Sequence, residues 1–151
     1  MASTSIVIEA SPGDVFAVLS DGWTYSNWVV GTSHIRAVDA KWPAVGSRLH
    51  HAVGAWPLLT RDYTEVEDLR PDSEIVLYAS GSRLGAARIR ITLEPNDAGC
   101  KVTLHEAPVD GPGRWLHNPV QDAVLHRRNY ETLQRLRATV RRLTEPPDED
   151  S

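Results

Sequence analysis

The chain has 151 residues, 41% of them hydrophobic and 24% charged, with a formal net charge of -4. That length suits one domain with a single core, and the composition excludes wholesale disorder. The negative balance argues against a general nucleic-acid binder, and the one cysteine, Cys100, excludes an intramolecular disulfide and a multi-cysteine metal site.

The opening MASTSIVIEA has no basic start and no long apolar run, so it does not read as a signal peptide. Nowhere do about 18 apolar residues run together, so no membrane-spanning helix is expected and the default is a cytoplasmic protein. Ser5 to Ala10 reads as a first strand, rich in β-branched residues. Ser11-Pro12-Gly13-Asp14 is a helix start: Ser11 caps, Pro12 suits the first helical position, and Asp14 sits where a capping-box acid belongs. Asp21-Gly22 ends that helix, and Asp21 is placed to cap a second short one carrying Trp23, Tyr25 and Trp28.

From Ser33 onward strands alternate with turn residues. The predicted strands are His34–Asp39, Ser47–Val53, Leu58–Leu69, Glu74–Ser80, Ala86–Glu94 and Lys101–Pro108. The breaks fall at Trp42-Pro43, Gly54 to Pro57, Arg70-Pro71-Asp72, Gly81 to Gly85 and Pro95 to Gly99. Connections this short, without helices, imply an antiparallel meander. Asp110-Gly111-Pro112-Gly113 leads out of the sheet, and a long helix runs from about Asn118 to Leu143. One domain therefore spans 1–143, and the acidic, Pro-containing 144–151 reads as a disordered tail.

Winding the long helix at about 100° per residue puts Leu125, Leu133, Leu136, Val140 and Leu143 on one stripe. Toward the helix start the same face carries Asn129 at its centre, Asp122 near it and His126 at its edge. The C-terminal half can thus dock on a sheet while the N-terminal half faces something polar. In the strands, Ala87, Ile89, Ile91 and Leu93 define one face, as do Val102 and Leu104, and the same period carries Glu106 inward. In Ser47–Val53 it groups His51 with Leu49 and Val53 and leaves His50 outside. Asp62 points inward only if Thr60, Thr64 and Val66 form the inner face of a strand whose alternation is mixed.

The inward polar set is therefore His51, Asp62, Glu106, Asp122, His126 and Asn129, with Leu125 beside it. Buried carboxylates are costly unless paired. One account is a cavity whose apolar wall carries a few placed polar groups. The other is a structural network, with Asn129 on backbone or Glu106 on Arg127 or Arg128. His50-His51 lies on a strand, where neighbours face opposite ways, so it does not chelate one metal. There is no phosphate-binding glycine loop, and Gly31-Thr32-Ser33-His34 lacks a nucleophile elbow. No metal or cofactor is expected. The helix arginines Arg127, Arg128, Arg135, Arg137, Arg141 and Arg142 read as a solvated face, the last of them complementing the helix dipole. Trp23, Trp28, Trp42, Trp56 and Trp115 read as core or cavity rim.

The stretches IVIEASPGDVFAVLSDGWTYSNWV, WPLLTRDYTEVEDLRP and VTLHEAPVDGPGRWLHNPVQDAVLHRRNYETLQRLR carry a resemblance to the helix-grip fold of the START-like (SRPBCC) superfamily. Within it the chain is similar to polyketide cyclase/dehydrase-like and lipid-transport-like proteins, from Ser5 to about Leu143. The resemblance implies an α+β fold, a seven-stranded antiparallel sheet curled around the long C-terminal helix, with two short helices after the first strand. It also implies a deep cavity between sheet and helix, expected here at the helix N-terminal half. The expected function is binding or carriage of a hydrophobic or aromatic small molecule, polyketide- or lipid-like. The alternative is a polyketide cyclase/dehydratase in which a pocket carboxylate or His51 moves a proton. No catalytic motif of a studied cyclase maps onto this chain, and whether it forms a homodimer stays open.

Overall fold

The computed structural model describes residues 2–30, 32–53, 60–81, 85–110 and 119–145. Period-two alternation and short turns produce seven strands: β1 (Ala2–Ile8), β2 (Thr32–Val38), β3 (Arg48–Val53), β4 (Thr60–Arg70), β5 (Glu74–Gly81), β6 (Gly85–Asn96) and β7 (Gly99–Asp110). They form one antiparallel sheet in the order β1-β7-β6-β5-β4-β3-β2. Strands β2 to β7 are the expected meander, and β1 joins the free edge of β7. Pairing from Ala2↔Glu106 to Ile8↔Cys100 starts β1 three residues before the predicted Ser5. Ala2, Ser3 and Thr4 are recruited to a strand by a partner about a hundred positions away, which local propensity cannot register.

The corner between β1 and β2 forms as its caps dictate. Ser11 Oγ accepts from Asp14 N at 3.1 Å at the start of α1 (Pro12–Leu19). Asp21 Oδ1 accepts from Trp23 N at 3.1 Å in a 3-10 turn at Gly22–Thr24, which runs into α2 (Tyr25–Trp28). Tyr25 and Trp28 are buried, and Tyr25 Oη donates to Leu19 O at 3.0 Å. Complete burial pushes the Tyr25 phenol far above its ordinary range, so it stays a neutral donor. Trp42 is also buried, whereas Trp23 is exposed. Trp56 and Trp115 lie outside the described residues.

The mixed alternation of β4 has a simple cause. A bulge between Val66 and Asp68 resets the side-chain parity, so that Asp62, Thr64, Val66 and Leu69 all face the core side. The β6–β7 hairpin is tighter than expected. Strand pairing continues to Asn96↔Gly99, and Asn96 Oδ1 accepts from the backbone N–H of Ala98 and Gly99 at 3.1 and 2.8 Å. Of the predicted breaks, exit and tail, Gly81, Gly85 and Asp110 belong to strands and Thr144 to the long helix, while 54–57, 82–84, 111–113 and 146–151 lie outside the described residues.

The long helix, α3, spans Pro119–Thr144 and packs chiefly on β1, α2 and α1. Leu133, Leu136 and Val140 are fully buried and join Val15, Leu19, Trp28, Ile8, Val102 and Ile91 in one core. Two sequence expectations fail along the stripe. Leu143 is exposed, because burial of the stripe ends one turn earlier at Val140. Asp122, expected inward, is exposed in the first turn, where its charge suits the positive end of the helix dipole. No described helix is long and apolar enough to cross a membrane.

Candidate functional site

Strand register lays out the inner face of the sheet in rows. One row reads Leu69, Ile75, Ile91 and Leu104 across β4 to β7, and the next Val66, Leu77, Ile89 and Glu106. The row after that reads Thr64, Ala79 and Ala87, opposite Leu49 on β3. His51 and Asp62 are register partners one step further on. Along the same strands, then, large apolar side chains give way to small and polar ones.

Two polar groups result. On β7 and α3, Glu106 and Asn129 are both buried. Asn129 Nδ2 donates to Glu106 Oε2 at 2.9 Å, and Arg128 Nη2 donates to Oε1 and Oε2 at 2.6 and 2.5 Å. The charge of Glu106 is therefore matched by a guanidinium that reaches in from the half-exposed flank of α3. Of the two arginines considered, the helix presents Arg128. Thr4, two residues before the core position Ile6, is buried beside this group and its Oγ1 meets His126 Nδ1 at 3.1 Å. His126 is itself exposed, and Leu125 is half-buried.

On β3 and β4, His51, Asp62 and Thr64 are buried together. His51 Nε2 lies 3.0 Å from Thr64 Oγ1, while His51 Nδ1 has no hydrogen-bond partner among the described residues. Burial pushes the His51 imidazole below its ordinary value; Asp62 opposes this, and Arg36 and His50 add to it. The ring is thus neutral near pH 7, with one nitrogen a donor and the other an acceptor. His50 faces the other way, 3.6 Å from Asp39, as strand period requires. Asp62 and Thr64 on β4 are three strands from Glu106 on β7, and His51 on β3 is four, about 14 and 19 Å across a flat sheet.

The structure brings Glu106 to Asn129 and His51 to Asp62, and leaves Asp122 outside both pairs. Sequence reading missed three participants. Thr4 lay before the predicted strand. Thr64 was visible only as a parity marker. Thr132 is a buried helix residue whose Oγ1 accepts from Val30 N at 3.2 Å, tying α3 to the end of α2. Elsewhere the Cys100 thiol is buried, and desolvation pushes its pKa up. Among the described residues no cluster of three metal-binding side chains exists.

A family model described as polyketide cyclase/dehydrase and lipid transport matches residues 2–141. No functionally curated protein matches the chain by sequence. A protein from Mesorhizobium loti is similar in structure, with a TM-score of 0.69 and 13% identity over 96% of this chain and 98% of that one. A putative uncharacterized protein from Rhizobium leguminosarum has a TM-score of 0.70 and 17% identity, covering 93% of each chain. The di-domain ARO/CYC StfQ from the steffimycin biosynthetic pathway has a TM-score of 0.67 and 13% identity, over 93% of this chain and 50% of StfQ. At such identities the likeness establishes the fold alone.

Proposed function

From the premise that the chain belongs to the polyketide cyclase/dehydrase and lipid-transport family, we propose that it binds and carries a hydrophobic or aromatic small molecule, polyketide- or lipid-like. The ligand lies between the sheet and the N-terminal half of α3. The observation that carries this reading is the shrinking of the inner rows, from Leu77 and Ile89 to Ala79 and Ala87, where polar residues gather. Small side chains on the inner face leave room that large ones would fill. A ligand there meets an apolar wall with a few placed polar groups. His51, Asp62, Glu106, Leu125 and Asn129 are the proposed lining; His126 and the exposed Asp122 stand at its edge.

Native mass spectrometry of the protein purified from its own host tests this. The expected result is a co-purifying small molecule that is absent when Leu125→Trp fills the space. A ligand-free protein that also fails to take up apolar probes would overturn the proposal. A second reading, polyketide cyclase/dehydratase, is favoured by one observation, the buried imidazole of His51 beside Asp62, whose Nδ1 has no hydrogen-bond partner among the described residues. Such a group can accept a proton from a carbon acid during ring closure and return it to a departing hydroxyl. Turnover of a poly-β-ketone probe that His51→Gln lowers far more in kcat than in affinity for the probe would select this reading over carriage.

A further inference from the structure

The two buried polar groups differ in what they leave unused. Both carboxylate oxygens of Glu106 are engaged, by Arg128 Nη2 at 2.6 and 2.5 Å and by Asn129 Nδ2 at 2.9 Å. The charge of Glu106 is already matched by Arg128, so a ligand donor there would add to a satisfied ion pair and would not meet an unpartnered group. That group is a closed clasp between β7 and α3.

His51 is arranged otherwise. Only 7% of the residue is exposed, Thr64 occupies Nε2, and Nδ1 has no hydrogen-bond partner among the described residues. One other buried side-chain nitrogen shares that condition, Arg137 Nε, but its guanidinium already pairs with Glu9 at 3.2 Å. A buried ring nitrogen without a partner is destabilising and calls for one. His51 lies next to the row in which Thr64, Ala79 and Ala87 are paired across β4 to β6.

Resting on the carrier reading, we propose that His51 Nδ1 is the polar anchor of the pocket, and that the ligand is an apolar or aromatic molecule presenting a hydroxyl or enol O–H to it. The Thr64 hydroxyl can donate to Nε2 or accept from it, so Nδ1 is either a donor or an acceptor. A hydroxyl satisfies both cases, whereas a ketone or ether satisfies only one. A ligand carboxylate would need a protonated imidazole, which burial disfavours. Glu106, Arg128 and Asn129 then hold the wall, and His51 reads the ligand.

The experiment is a calorimetric titration of the full chain with 1-naphthol and with naphthalene, which share a ring system and differ by one hydroxyl. The expected result is about tenfold tighter binding of naphthol, and in His51→Leu the ratio of the two affinities falls to about one. Equal binding of the two probes, or a preference that survives His51→Leu, overturns the anchor and leaves the pocket standing. If neither probe binds, the pocket itself is wrong and the anchor falls with it. Should His51→Leu fail to fold, nitrogen-detected NMR of the unmodified protein decides. The His51 Nδ1 resonance moves with naphthol and not with naphthalene if the proposal holds; equal or absent shifts overturn it.

Discussion

Truncating one leucine in each half of α3 separates a packed half from an open one. Leu136 is fully buried, and so are Leu133 and Val140 above and below it on the same stripe. These neighbours are fixed by the sheet beneath, so the space left by Leu136→Ala collapses little. The loss then combines the transfer of three carbons with a persistent cavity, about 3–5 kcal/mol. For a domain of this length each kcal/mol moves the melting temperature by about 2–4 °C, so a drop on the order of 10 °C is expected. Leu125 is half-buried. Removing its side chain gives up about 1 kcal/mol of apolar burial and leaves no sealed void. Urea unfolding followed by tryptophan fluorescence measures both, with an unchanged slope as the check that the unfolded state is the same. If Leu136→Ala proved nearly neutral and Leu125→Ala cost several kcal/mol, the packed and open halves would be the wrong way round.

Arg128→Ala should destabilise by about 1–3 kcal/mol, between the values for exposed and buried ion pairs, because Glu106 stays buried while Arg128 is 40% exposed. Arg135→Ala, which breaks an exposed pair with Glu131, should cost no more than about 0.5 kcal/mol, and equal losses would refute the clasp. Gly99→Ala should cost more than about 1 kcal/mol, since Gly99 has φ of 143° and an added Cβ would stand 2.4 Å from Ile8 O, on the β1–β7 seam. A near-neutral melt for that variant would refute the register there. His51 titrates lower folded than unfolded, so its contribution to stability is full above the unfolded value of about 6.5 and declines as pH falls from there to the folded value. Asp62, Arg36 and His50 are the charged or titratable groups acting on it. Stability measured from pH 7.5 to 5 should fall more steeply in the unmodified protein than in His51→Gln, and parallel curves would show that the ring is not buried neutral.

Much of this architecture is written in local pattern. Ser11, Pro12 and Asp21 start helices wherever the chain goes, because a cap bonds backbone within three residues of itself. The alternation of β6 and β7 shows their faces, which is why Ile91, Leu104 and the inward Glu106 were legible before any fold was known. The helical period likewise placed Leu133, Leu136, Val140 and Asn129 inward. Where packing partners come from distant segments, pattern falls silent. The β4 bulge, which decides that Asp62 and Leu69 share a face, exists only against β5. Strand β1 reaches back to Ala2 only because β7 offers an edge. That Arg128 meets Glu106, that Thr64 takes one nitrogen of His51, and that Asp122 lies in solvent depend on how α3 is laid over the sheet. Sequence spacing sets which residues share a face of one element, while the choice of partner across elements is made by the global packing that buries them.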